Sequence, residues 1–165
     1  MTTQHTVWQN QPAARRVART PSEIARCVRE RDMLIRFGGT CAPGFLHFDQ
    51  TSDHAVLYRN WITGPTLSEC QTDQHNNHIQ RLYPLLRHLH DQGWVHGDIH
   101  PSNIICSVKG PVLIDWEHAA PIGVDLTSLP NRAIRPGHTH PDVIWSRGKI
   151  HPTHDLHTLA QLTNT

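Results

Sequence analysis

His96-Gly97-Asp98-Ile99-His100-Pro101-Ser102-Asn103, followed downstream by Ile114-Asp115-Trp116-Glu117, decides how this chain is read. Asp98 comes just after Trp94-Val95 and has Asn103 five residues on, while Asp115 ends the apolar run Val112-Leu113-Ile114. Two carboxylates are therefore presented at the ends of short strand-like segments, with an amide side chain between them. That set suits phosphoryl transfer, which asks mainly for positioning and charge neutralisation. One carboxylate orients an acceptor hydroxyl and takes its proton. The second carboxylate and the amide oxygen hold magnesium, a hard cation that prefers oxygen donors. Either triplet alone reads equally well as a hydrogen-bonded corner or a cap; the two in this order form a specific signal.

The octapeptide resembles the catalytic loop of protein-kinase-like phosphotransferases, in the HGD form common in bacterial aminoglycoside and choline phosphotransferases. Ile114-Asp115-Trp116-Glu117 is similar to the same families' replacement for the DFG metal-binding triplet. The resemblance implies ATP and Mg2+ as cofactors. It implies Asp98 as the catalytic base and Asn103 and Asp115 as magnesium ligands. His100 then stands where protein kinases carry a phosphate-contacting lysine. Upstream, Glu30 is similar to the helix glutamate that pairs with the ATP-anchoring lysine. Ala55 to Ile62 looks like the strand and hinge that receive adenine, with backbone groups near Asn60 and Ile62 as its partners. Downstream, His140-Pro141-Asp142 resembles the motif closing an activation segment, and Asp155-Leu156 resembles the aspartate that braces the catalytic loop.

The likeness also has gaps. All ten glycines lie at Gly38 or later, so no glycine-rich phosphate loop precedes the first expected strand. The strand that should carry the lysine offers Val17-Ala18-Arg19, making Arg19 the candidate substitute, although guanidinium and ammonium differ in geometry and hydration. The implied fold is α+β, a minimal protein-kinase-like bilobal domain over residues 1–165. It comprises a tail (1–12), a reduced N-lobe without the glycine-loop hairpin (13–62) and a truncated helical C-lobe (63–165).

Local signals supply the elements of that fold. Thr20-Pro21-Ser22-Glu23 is a capping box with proline at the first helical position, opening a one-sided helix through Ile35 that Gly38-Gly39 ends. Residues 45–48 and 55–61 are apolar stretches around a turn-rich connector and predict an antiparallel hairpin. Ile79, Leu82, Leu85, Leu86 and Leu89 trace a second helix, with Pro84 inside it expected to kink it or remove a hydrogen bond. Two short β segments follow at 103–106 and 111–114, and a last helix is expected from Asp155 through Leu162.

Composition sets the boundaries. A chain of 165 residues with 37% hydrophobic and 18% charged residues predicts one globular domain. There is no apolar run of membrane-spanning length and no secretory signal, so the expected location is cytoplasmic. The formal net charge of +1 argues neither way on nucleic acid, and neither nucleic acid nor membrane is an expected partner. Cys27, Cys41, Cys70 and Cys106 form no CxxC pair and read as free thiols; the 15 histidines read as solvated or packed rather than as a metal site. The chain stops in what should be the first large C-lobe helix, which leads us to expect a homodimer or a hetero-complex covering the exposed apolar surface. The expected function is Mg-ATP-dependent transfer to a Ser or Thr hydroxyl of a protein or peptide, as in a peptide-modifying pathway. The alternatives are a small-molecule phosphotransferase of aminoglycoside or choline type and a scaffolding pseudokinase.

Overall fold

The computed structural model describes residues 3–129 and 132–163. Four antiparallel strands open the chain's fold: β1 (Thr3–Trp8), β2 (Gln11–Ala18), β3 (Phe45–Gln50) and β4 (Ala55–Asn60), in the order β1-β2-β4-β3. Thr3–Trp8 is thus a strand where the sequence suggests a polar tail. It lies at the sheet edge with most of its residues exposed, and it turns into β2 through Gln9 and Asn10, both at positive φ. Such a turn matches the right-handed twist of a hairpin, and here it forms without the glycine that normally announces it.

Helix α1 (Pro21–Phe37) packs on this sheet. Its capping box is formed as expected, with Thr20 Oγ1 accepting from the Glu23 amide and Glu23 accepting from the Thr20 amide. Cys27, Glu30, Met33, Leu34 and Phe37 are buried, so a single glutamate sits in an otherwise apolar stripe. Gly38 ends the helix, and a Cβ there would come 2.4 Å from the Leu34 carbonyl oxygen.

The second half is mostly helical and hairpin. Helix α2 (Thr72–Asp91) buries Ile79, Leu82, Leu86 and Leu89 and runs through Pro84. Pro84 lies on the exposed face, as does Gln80, the residue whose carbonyl a proline at this position deprives of its helical partner, so the missing bond falls on the solvent side. Strand β5 (Trp94–Val95) pairs with β8 (Ala120–Pro121), and β6 (Ile104–Ser107) pairs with β7 (Gly110–Leu113). Helices α3 (Pro141–Trp145) and α4 (Thr153–Leu162) complete the described chain. The architecture is the mixed α+β class expected. One continuous buried cluster joins Leu34, Phe37 and Leu57 of the first half to Leu82, Leu86, Trp116 and Leu159 of the second. Among the described residues no helix is long and apolar enough to cross a membrane.

Candidate active site

The segment from β5 to β7 is folded around a buried histidine. His96 is fully enclosed, its Nε2 lying 3.1 Å from the Ile114 carbonyl oxygen and its Nδ1 accepting from the Asp98 amide at 3.3 Å. A neutral ring protonated on Nε2 satisfies both contacts. Burial pushes its pKa below the ordinary imidazole value, more than the carboxylates of Asp155, Asp98 and Asp115 can offset. Gly97 takes φ +79°, and a Cβ there would sit 2.4 Å from the His118 carbonyl oxygen, so the middle position of this triplet accepts no side chain.

Asp155 braces the loop from α4. Its Oδ2 accepts from the His96 amide at 2.8 Å and its Oδ1 from the Gly97 amide at 3.0 Å, with His90 Nε2 3.1 Å from Oδ2. Two amides that no strand satisfies are thereby met by one buried carboxylate.

Asp98 is buried and fully bonded. Asn103 Nδ2 donates to its Oδ2 at 2.8 Å and to its main-chain oxygen at 3.0 Å. Arg135, from the irregular segment before α3, donates Nε to Oδ1 at 2.7 Å and Nη2 to Oδ2 at 2.8 Å. Burial alone would raise this carboxyl, but the Arg135 hydrogen bonds and charge override it and hold it below the usual carboxylate range. His100 caps the 3-10 turn Pro101–Asn103: its Nδ1 accepts from the Ser102 amide and lies 2.7 Å from the Ser102 hydroxyl. That turn delivers Asn103 to Asp98.

A second cluster gathers around Arg16. Arg16 Nη1 donates to Glu30 Oε2 and to Asp115 Oδ1, the latter at 2.9 Å, and Nη2 donates to Glu117 Oε2 at 2.9 Å. Burial opposes the cation, yet the three carboxylates more than compensate, and its pKa is raised. Arg59 adds a second guanidinium 3.8 Å from Glu30. Arg19, the candidate from sequence, is exposed beyond the end of β2, where its amide caps onto Glu23. Strand alternation accounts for the difference: Ala14, Arg16 and Ala18 share the inward face of β2, which brings Arg16 and not Arg19 to Glu30. Asp115 itself adopts φ +65°, a left-handed conformation uncommon for a side chain bearing a Cβ. Trp116 anchors it: Nε1 donates to the Leu113 carbonyl, and the indole stacks on Phe37 and meets His96 edge-on.

Two openings flank these residues. A cleft of about 360 Å³ is lined by Arg16, Glu30, Ile62, Asn103, Ile114 and Asp115. Of the hinge positions expected to receive a ligand, Ile62 faces this cleft. Asn60 does not line it, and its amide is spent on the Gly44 carbonyl at 2.8 Å. On the other side, Asp98, Gly97, Ile99, Arg135, Thr139 and His140 line a cavity of about 40 Å³. The Asn103 amide oxygen and the Asp115 carboxylate are hard oxygen donors on one cleft wall, a donor set that fits Mg2+. Besides Arg16, sequence inspection does not find Arg135, since it lies 37 residues from Asp98 in a segment without periodicity.

Comparison with known proteins bears on the same stretch. The model of the phosphotransferase enzyme family matches residues 67–155, which span the braced loop, Asn103, Asp115 and Asp155. The probable serine/threonine-protein kinase PkwA of Thermomonospora curvata is 31% identical over 104 residues, covering 59% of this chain and 14% of that protein. The chain thus spans a small part of that relative's length.

Proposed function

Because the chain belongs to the phosphotransferase enzyme family, we propose that it transfers the γ-phosphoryl group of magnesium-bound ATP to a Ser or Thr hydroxyl of a protein or peptide. The observation that carries this reading is the bond from Asn103 to Asp98 on a loop braced by Asp155, with Asn103 and Asp115 together lining one cleft. Bound Mg-ATP would supply the phosphoryl group and the cation that neutralises its charge. Asn103 and Asp115 would hold that cation from the cleft side. Asp98 takes the proton of the acceptor hydroxyl at a carboxylate oxygen, which requires Arg135 to yield that oxygen. Arg16, held by Glu30 and Asp115, would present its guanidinium on the cleft proposed for the phosphates.

The small cavity at Asp98 supports a protein or peptide acceptor. About 40 Å³ admits a hydroxyl on a slim side chain and does not enclose a sugar or aminocyclitol ring. The family match supports a second reading, in which a small hydroxylated metabolite is the acceptor and the Arg135 segment moves to admit it.

The test is transfer of labelled phosphate from Mg-ATP to a Ser/Thr peptide library and, in parallel, to a panel of hydroxylated metabolites. Peptide labelling that the Asp98→Asn variant loses supports the first reading; metabolite labelling alone supports the second. Thermal stabilisation by ATP without any transfer would make the chain a nucleotide-binding scaffold.

A further inference from the structure

Cys70, His78 and Cys106 stand far apart in the chain and match no metal-binding spacing, yet their side chains converge away from the Asp98 loop. The two sulfurs and a ring nitrogen of His78 all lie within 4.8 Å of one another. Cys70 caps the 3-10 turn Leu67–Glu69, His78 lies on α2, and Cys106 is on β6. The backbone holds these elements together independently of any ligand. The Cys106 amide donates to the Pro65 carbonyl at 2.8 Å, and Thr66 bridges Ile105. A Cβ on Gly64 would come 2.4 Å from the Cys106 carbonyl oxygen, so the connector and β6 are in direct contact.

The His78 ring supplies an independent sign of a missing partner. Its Nδ1 is shielded from solvent and has no hydrogen-bond partner, an arrangement that native structures rarely leave uncompensated. The other convergent group, His140, Asp142 and His154, differs in this respect: His140 Nδ1 accepts from the Asp142 amide and His154 Nδ1 from the His151 amide.

We propose that Cys70, His78 and Cys106 form a three-ligand site for a thiophilic divalent cation, best matched by zinc, with the fourth position taken by water. Two thiolates and one imidazole are the soft and borderline donors that zinc prefers over the oxygen-loving magnesium of the catalytic cleft. Tetrahedral coordination at ordinary zinc bond lengths needs donor separations of about 3.5–3.8 Å, within reach of the present spacing by rotamer adjustment. Thiolates are the metal-binding form, so loading releases protons and strengthens as pH rises. The metal would tie the connector after β4 to α2 and to the β6–β7 hairpin. Thr66, Glu69 and Ile105 in those elements line the cleft that holds Arg16 and Asp115, so the site would brace the cleft floor.

The full chain, reduced and stripped of metal, should be titrated with Co2+ and then back-titrated with Zn2+. One equivalent of cobalt is expected to give thiolate-to-metal charge transfer and tetrahedral ligand-field bands, displaced by zinc. Cys70→Ser should lose one sulfur's share of the charge transfer, and His78→Gln should keep that absorption while weakening zinc binding. Loss of a direct ligand should exceed the roughly 10–100-fold that removing a ligand's supporting partner typically costs. Because cobalt bound at histidine-only sites gives no thiolate band, the other histidines do not confuse the result. Cys70 and His78 are only partly buried, so these two variants carry the test should Cys106→Ser fail to fold. Absence of thiolate charge transfer in the reduced chain, or a band indifferent to Cys70→Ser, overturns the proposal. So does a Cys70-to-Cys106 disulfide in the protein isolated under reducing conditions, seen as an intact mass lower by two hydrogens.

Discussion

Arg135 grips both carboxylate oxygens of Asp98, in a paired contact of 2.7 and 2.8 Å, from a position that is itself in neither strand nor helix. The guanidinium is more than a third exposed and the carboxylate is not, so the pair is released more easily from the arginine's side. Under the proposed function, an acceptor hydroxyl would compete with Arg135 for the same oxygens.

Replacing Arg135 with Gln leaves burial as the main influence on the Asp98 carboxyl and raises its pKa. The acid limb of the kcat/KM profile should then move to higher pH, because the base is protonated sooner as pH falls. The profile of the variant against the parent checks this, and an unmoved limb would mean that the pair is absent from the free enzyme.

Arg16 and Arg19 separate cleanly by stability. Arg16→Met strands Glu30, Asp115 and Glu117 without their shared cation and should destabilise by about 3–5 kcal/mol. Arg19→Ala, at an exposed site, should change stability by no more than about 0.5 kcal/mol. Urea unfolding midpoints of the two variants provide the comparison.

Asp155→Ala removes the acceptor of two main-chain amides in the loop that carries Asp98. A loss of about 1–3 kcal/mol per stranded buried group is expected, together with loss of transfer activity. Asp155→Asn retains one acceptor oxygen and should lose less, as measured by thermal unfolding.

His96 predicts an acid-side weakness. Its folded-state pKa is depressed by burial, so the unfolded chain takes up a proton before the native ring does. Stability from this group is therefore full above the unfolded value near 6.5. It declines as pH falls below that value, down to the depressed folded one. Urea midpoints at about pH 7.5 and about pH 5.5 should differ in the parent, and the difference should shrink in a His96→Gln variant.

How much of this was legible beforehand depended on how local the signal was. The capping box at Thr20 and Glu23, the buried glutamate at position 30 and the apolar runs before Asp98 and Asp115 sit within a few residues of what they determine. β1 was hidden because an exposed edge strand buries no face and leaves no alternation, and its turn at Gln9-Asn10 lacks glycine. Arg16 is readable in principle, since it alternates with Ala14 and Ala18, whereas the Val17-Ala18-Arg19 run by itself points to Arg19. Arg135, and the meeting of Cys70 with His78 and Cys106, depend on how distant segments cross, and no spacing rule records that.

The brace at Asp155 also sets an order of assembly. The amides of residues 96 and 97 wait for a carboxylate 59 and 58 positions later in the chain. During synthesis Asp98 is therefore present long before the carboxylate that braces its loop. A nascent chain that has passed Asp115 but not reached α4 carries Asp98, Asn103 and Asp115 without that brace, so the proposed competence for transfer would arrive late, with the making of the last described helix.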